Sequence, residues 1–233
     1  MKTLPQIEPS KFFLLFLVAI SIFGLALVPL LLLQPNLQAD QSPLRRPLID
    51  TIYSVITIAG IVAAFYPVKC RMIFQKPNFP PDSIKQSTSR EQTKGHHPDC
   101  ERFSGNRITI RGSVFCAACS GLLIGAITAM VVAVIFSLGF LKLGTGSLWA
   151  LVVGEALMLM GLTQIKMQGY VKTAVNALFV VGSCISLFAT DLAGQSLLID
   201  AYVLGLIVFM LWFRILLSEW NNKKICLTCG LCI

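Results

Sequence analysis

The stretch "VFCAACSGLLIGAITAMVVAVIFSLGFL", residues 114–141, decides the fold class. It is apolar over its whole length, and a helix needs about 20 predominantly apolar residues to cross the hydrocarbon core of a bilayer. Small residues recur every four positions within it, at Ala117, Gly121, Gly125 and Ala129. Because small residues let helices approach closely in lipid, this pattern predicts a tightly packed spanning helix and favours packing over catalysis for the glycines.

Long apolar blocks recur along the rest of the chain. Of its 233 residues 55% are hydrophobic and 13% are charged, whereas soluble domains carry roughly 25% charged residues. Six apolar blocks are long enough to span a membrane: 12–33, 48–68, 114–141, 147–165, 173–190 and 197–217. The first block is too long for the apolar region of a signal peptide and lacks a clear cleavage site, so it is interpreted as a spanning helix. The sequence therefore predicts an all-α, polytopic membrane protein, a bundle of about six transmembrane helices with a long Cys/His-containing cytoplasmic loop.

This organisation divides the chain into four segments. Residues 1–68 hold the first two helices, 69–113 the Cys/His loop, 114–219 helices three to six, and 220–233 a Cys-rich tail. Within the loop, residues 75–95 are rich in Pro, Ser and Lys and have the composition of a flexible tether.

The positive charges predict the orientation. With six helices, all but three of the 19 lysines and arginines fall on the side of the termini; the exceptions are Arg45, Arg46 and Lys142. By the positive-inside rule both termini are expected in the cytoplasm, with the protein in the plasma membrane. The net charge of +8 is then the topological signal and calls for the lipid bilayer as partner, not for nucleic acid. Protein partners are not predicted.

Most of the cysteines fall on this cytoplasmic side. Of eight, only Cys184 lies inside a helix; the others are Cys70, Cys100, Cys116, Cys119, Cys226, Cys229 and Cys232. The cytosol keeps thiols reduced, so clustered cysteines there favour metal binding or redox chemistry over a disulfide framework.

The loop and the third helix together carry a pattern typical of a zinc site. His97 and Cys100 are separated by two residues, as are Cys116 and Cys119, and fifteen residues lie between the pairs. Ligands three positions apart can bend around one ion, and a hairpin between the pairs, indicated by "RITIRGSVF", can complete a tetrahedron. His96 is an alternative ligand or supports one. The competing interpretation is that Cys116 and Cys119 are small apolar residues at the start of a helix, where the helix dipole also favours thiolate.

The same stretch resembles a family of multi-pass membrane proteins of unknown function in archaea and bacteria. The shared elements are "HHPDC" at 96–100, Glu101-Arg102-Phe103, and "CAACSG" at 116–121 with Gly125. The resemblance covers about 30 residues and implies a membrane location and a common Cys/His block, without an activity. This chain departs from the pattern at Ala118 and Ser120, and it has Asn106 where the family frequently has His.

A second cluster stands at the carboxyl end. Cys226, Cys229 and Cys232 have the C-x2-C-x2-C spacing of the first three ligands of a bacterial ferredoxin run, and the fourth cysteine is missing. The trio is a candidate second metal or redox site, with an iron–sulfur cluster as its cofactor. An exposed thiol tail or an acylation site is the alternative.

Within the membrane the residue that stands out is Glu155, placed about 15 Å deep by the helical rise. An ionisable side chain at this depth costs roughly 2.5–3.5 kcal/mol and is a functional candidate by default. The alternative is a protonated Glu155 that hydrogen-bonds a hydroxyl and joins helices, with Thr57, Ser183 or Cys184 near its depth.

Three functions follow as expectations. The first is a membrane protein with a cytoplasmic Cys/His site that binds zinc in a structural or sensing role. The second is a membrane-embedded oxidoreductase or lipid-modifying enzyme that uses thiolates or an iron–sulfur centre. The third is a secondary transporter that uses Glu155, although no inverted repeat is apparent. No catalytic residue can be assigned, and whether the chain is an enzyme stays open.

Overall fold

The computed structural model describes residues 11–34, 44–65, 101–111, 113–140 and 146–229. In these ranges six helices are long and apolar enough to cross a membrane, as the sequence predicts. The helices are α1 (Lys11–Leu32), α2 (Arg45–Phe65), α3 (Ala117–Ser137), α4 (Ser147–Gly161, continued as a 3₁₀ helix over Leu162–Lys166), α5 (Gly169–Gly194) and α6 (Leu197–Cys229). A 3₁₀ helix (Glu101–Asn106) precedes two strands, β1 (Arg107–Ile110) and β2 (Ser113–Cys116).

Several helix boundaries differ from the apolar blocks, among them the start of α3 and the end of α6. Residues 114–116 form the end of β2, so α3 begins at Ala117 and not at Val114. The last helix continues past Leu217 through Cys229, so the first part of the predicted tail is helical. Hydropathy marks the stretch that suits lipid, whereas backbone hydrogen bonding carries a helix on into polar residues.

Helix α5 lies at the centre of the bundle. In its apolar window 61% of the residues are buried, against 17% in α2. It packs along both α3 and α4 and contacts α6 as well. The bundle therefore has two distinct ends. The hairpin end carries β1, β2 and the first turn of α5, and the ion-pair end carries the start of α2 and the last turn of α5.

Close packing between α3 and α5 depends on small residues. A Cβ atom added at Gly121 would lie 2.2 Å from the carbonyl oxygen of Thr173, and one at Gly125 would lie 2.7 Å from that of Ala177. Ala117 and Ala129 are fully buried on the same face. The small-residue pattern of this helix is thereby confirmed as a packing device.

The contact between α4 and α5 is built in the same way. A Cβ atom at Gly154 would lie 2.8 Å from the carbonyl oxygen of Gly182, and one at Gly182 would lie 2.7 Å from that of Gly154. At the hairpin end, Gly161 leaves room for the ring of Phe179, which is fully buried. Helix α5 is thus held by backbone approach on two sides.

Buried ion pairs join α2 to α5 and α6 at the other end. Nη1 of Arg45 lies 2.5 Å from Oδ2 of Asp200 and 2.7 Å from Oδ1 of Asp191, and all three side chains are at least 95% buried. The pair with Asp200 is a hydrogen bond, whereas the contact with Asp191 Oδ1 is too bent for one and acts through charge. Nε of the half-exposed Arg46 donates to Oδ2 of Asp191 at 3.0 Å. Helix α2 also packs along α3, so these ion pairs add a polar attachment to α5 and α6.

Enlarging Gly121 is expected to destabilise the bundle. In Gly121→Ala the new methyl group meets backbone of α5 that cannot move aside, at a cost of about 1–3 kcal/mol in the free energy of unfolding. Gly60→Ala is the matched control, because nothing lies within 4 Å of a Cβ atom there and alanine is the better helix former. Thermal unfolding in one detergent should show a lowered Tm for the first variant only. An unchanged Tm in Gly121→Ala would contradict the packing.

Removing Arg45 is expected to cost far more than removing Arg46. Arg45→Ala leaves two buried carboxylates without their shared cation, a loss of about 3–5 kcal/mol. Arg46→Ala removes a half-exposed partner and should cost about 1 kcal/mol or less. The Tm values of the two variants, measured side by side, check this order. An equal drop in Tm for the two variants would show that burial of the Arg45 ion pairs does not contribute to stability.

Candidate functional site

The segment between the predicted ligand pairs ends in an antiparallel hairpin. In β1 and β2, Arg107 pairs with Cys116 and Ile110 pairs with Ser113. Two residues connect the strands, and the first, Arg111, has a left-handed backbone with φ of 51°. Such a conformation is typical of the tight turns that match the twist of a two-residue hairpin. The predicted hairpin is confirmed over these residues.

The hairpin is fixed against the start of α5. Ile108 is 96% buried, and the hydroxyl of Tyr170 donates a 2.8 Å hydrogen bond to the carbonyl oxygen of Thr109. The position of β2 relative to the bundle is therefore set by α5 as well as by the chain connection to α3.

Cys116 and Cys119 lie where β2 turns into α3. Cys116 is the last strand residue and the N-cap of the helix, with φ of −71° and ψ of 121°. Cys119 follows in the first turn, one helical turn along, and is half-buried, whereas Cys116 is buried. Neither forms a disulfide. The positive end of the helix dipole favours thiolate at this place, as metal ligation requires.

The other members of the predicted site are not located. His96, His97, Cys100 and Cys232 lie outside the described residues, and Cys226 and Cys229 fall on the last turns of α6. In the described part of the chain no three His, Cys, Asp or Glu side chains gather as a metal-binding group. Half of the predicted quartet is thus placed, at a strand-to-helix junction whose ligand type and spacing fit zinc.

A buried lysine stands next to this junction. Lys172, in the first turn of α5, is 95% buried, and its Nζ donates a 2.5 Å hydrogen bond to Oδ1 of Asn106. One residue further along α5, the hydroxyl of Thr173 donates to the carbonyl oxygen of Ala117 at 3.0 Å. Thr173 thereby joins the cysteine end of α3 to α5, and Lys172 joins the residue before β1 to α5.

A second buried cation, Arg214, lies on α6 at the same end. Its Nη2 donates to Oε1 of Gln164 at 2.9 Å and to Oδ1 of Asn176, and its guanidinium stacks on Phe179 with 3.9 Å to the ring centroid. Its Nε and Nη1 atoms are buried and have no hydrogen-bond partner among the described residues. Asn176 also donates to the carbonyl oxygen of Lys172 at 2.6 Å. One asparagine side chain therefore bonds both the guanidinium of Arg214 and the backbone of Lys172.

The sequence did not lead us to predict that Lys172, Arg214 and Asn106 lie in one buried polar cluster. Lys172 and Arg214 entered only as topological charges, and Asn106 only as a departure from the family pattern. The spacing of Lys172 and Asn176 places them one turn apart on one helix face, which is a usable signal. Their connection to Arg214 and to Asn106 spans distant parts of the chain and leaves no local pattern.

Glu155 does not make the predicted hydrogen bond to a hydroxyl. Its Oε1 is buried without a hydrogen-bond partner among the described residues. Thr57 and Cys184 donate instead to backbone carbonyl oxygens, and Ser183 pairs with the hydroxyl of Tyr53 at 3.4 Å. No described hydroxyl therefore joins Glu155 to a second helix, and its functional role stays a prediction.

Comparison of the whole chain with protein-family models, with curated proteins and with solved structures finds no match. Functional interpretation therefore depends on the geometry above.

Proposed function

We propose that this chain is an integral protein of the plasma membrane whose hairpin end faces the cytoplasm and binds one zinc ion in a structural or sensing role. The proposed ligands are His97, Cys100, Cys116 and Cys119. The observation that carries the proposal is the placement of Cys116 and Cys119 one helical turn apart where β2 becomes α3. Ligand pairs at such a turn can bend around one ion.

Charge at the hairpin end supports both the orientation and the ligand set. Lys166, Lys172, Arg214 and Lys224 lie toward this end, whereas Arg45 and Arg46 lie at the other. By the positive-inside rule the hairpin end is the cytoplasmic one, and both termini are on that side. Thiols stay reduced there and are available for a metal.

Zinc would supply a rigid tetrahedral link and no redox chemistry. The chain's own residues would fix half of that link in place, because β2 is anchored on α5 and α3 packs against α5 through Gly121. Four protein ligands leave no open coordination position, which favours a structural or sensing role over hydrolysis.

An oxidoreductase with an iron–sulfur centre is the second candidate. The observation that favours it is the continuation of α6 through Cys229, which places Cys226 and Cys229 beyond the hairpin end, on the side of the bundle where Cys116 lies. A cluster shared between the tail and the loop would then need only ligands from this face.

Metal content and the absorption spectrum of the anaerobically purified chain test these candidates. We expect about one zinc per chain, lost in Cys116→Ser and retained in Cys226→Ser, because only the first removes a proposed ligand. Cys184→Ser is the matched control, since this buried thiol donates to a carbonyl oxygen of α3 within the bundle. Iron with sulfide absorption, lost in both ligand variants, would replace zinc by the redox centre. If neither metal is present, the metal site is wrong and Glu155 becomes the leading candidate.

A further inference from the structure

The buried polar cluster at the hairpin end contains two cations whose hydrogen bonds end on neutral groups. Lys172 is 5% and Arg214 4% exposed. The acceptors of their hydrogen bonds are the side-chain amide oxygens of Asn106, Gln164 and Asn176. The ion pairs formed by described residues all lie at the ion-pair end of the bundle. Within the described ranges, neither cation therefore has a carboxylate partner.

The guanidinium of Arg214 has hydrogen-bonding capacity that no described residue uses. Its Nη2 atom donates to the amide oxygens of Gln164 and Asn176, and the ring of Phe179 covers one face of its plane. Its Nε and Nη1 atoms are buried without an acceptor among the described residues. Buried charged donors without acceptors are unfavourable, so this side chain is held in place by its neighbours while part of its capacity stays open.

One face of α5 brings the two cations together. Lys172, Asn176 and Phe179 follow one another at spacings of four and three residues, so they lie along a single helix face. Because Asn176 accepts from Nη2 of Arg214, the guanidinium reaches α5 one helical turn from Lys172. The first turn of α5 adds the positive end of the helix dipole. Three sources of positive potential therefore meet at this place.

A short segment of chain lies across the two helices that carry the cations. The 3₁₀ helix Glu101–Asn106 contacts both α5 and α6, and its last residue accepts the hydrogen bond of Lys172. A Cβ atom added at Gly105 would lie 3.0 Å from the side chain of Gln168, just before α5. The cations are thus enclosed by the ends of three helices and by this segment.

The cluster lies at the depth of lipid headgroups. Tyr170, which is 65% exposed, lies two residues before Lys172, and Trp220 lies six residues beyond Arg214, about 9 Å along α6 by the helical rise. Tyrosine and tryptophan are enriched at the interface between lipid and water. The phosphate groups of lipids and dissolved phosphates are both present at this depth.

We infer that Arg214 and Lys172 form a binding site for one phosphate-type oxyanion, either free phosphate or the phosphate of a lipid headgroup. A phosphate supplies both the negative charge and the acceptor oxygens that this cluster lacks. Arg214 binds it through Nε and Nη1, and Lys172 acts as a point charge. Because these atoms are enclosed, the oxyanion enters when the 3₁₀ helix moves outward. The inference goes beyond the proposed function and does not depend on zinc.

Thermal unfolding of the full chain in dodecyl maltoside, a detergent without phosphate, tests the inference. Inorganic phosphate is titrated against chloride at equal ionic strength, and dioleoyl phosphatidylglycerol is titrated against dioleoylglycerol, which has no phosphate. We expect one of the two phosphate probes to raise the Tm by about 5 °C or more at saturation, because a ligand of the folded state stabilises it. The midpoint of each titration gives an apparent affinity.

Variants of the two cations show whether the effect comes from this site. Lys172→Met and Arg214→Gln each remove one charge, and the apparent affinity for the phosphate probe should fall by about 10- to 100-fold. Lys166→Met is the matched control, because Lys166 is an exposed lysine at the same end and its loss should leave the affinity unchanged.

A further variant separates the binding of an anion from folding. Asn106→Asp keeps the shape of the side chain and gives Lys172 a carboxylate inside the protein. The Tm without added phosphate should be maintained or raised, while the rise caused by the phosphate probe becomes smaller. A role of Lys172 in folding alone predicts no such opposition. This variant also decides the matter if Lys172→Met and Arg214→Gln do not fold.

The two sources of phosphate give different results. A rise in Tm with inorganic phosphate would support the inference and assign the site to a free anion. A rise with phosphatidylglycerol alone would support it and assign the site to a lipid headgroup. Absence of a rise with either probe would overturn the inference, and so would a rise that Lys172→Met, Arg214→Gln and Asn106→Asp all retain in full.

Discussion

The backbones of α3 and α4 pack closely against α5, and this packing determines where the two ends of the bundle lie. Gly121 and Gly125 of α3 meet α5 on one side, and Gly154 and Gly161 of α4 on the other. In lipid, packing of this kind drives association, because apolar side chains gain little by leaving a medium as apolar as themselves. With α5 fixed on two sides, its first and last turns become fixed points at the two ends of the bundle.

At each end of the bundle, the fixed turn of α5 positions a set of polar side chains. At the ion-pair end, Asp191 of α5 and Asp200 of α6 enclose Arg45, and charge is balanced by charge. At the hairpin end, the side chains of Lys172 of α5 and Arg214 of α6 donate hydrogen bonds only to side-chain amides among the described residues. Only the hairpin end therefore has buried positive charge that no described carboxylate compensates. It is also the end where two thiols stand at a helix amino terminus.

The sequence was sufficient for the parts of the fold that follow from local patterns. Runs of apolar residues predicted the six helices, small residues at every fourth position predicted the packing face of α3, and alternation around Gly112 in the sequence predicted the hairpin. Helix ends were less well predicted, because a helix such as α6 continues into polar residues that hydropathy excludes. The ion pairs of Arg45 and the amide links of Arg214 could not be predicted, since their partners are distant in sequence and depend on which helices become neighbours. The alternative of a hydroxyl partner for Glu155 finds no support among the described residues, and it too depended on which helices become neighbours.

The proposed function requires Cys116 and Cys119 to be ligands of a zinc ion at the hairpin end. X-ray absorption at the zinc edge on the purified full chain tests it most directly, because sulfur and nitrogen ligands differ in bond length, about 2.3 Å against about 2.0–2.1 Å. We expect three sulfur ligands and one nitrogen ligand per zinc. A shell of nitrogen and oxygen alone would rule out the proposed ligands, because no thiolate would then be bound.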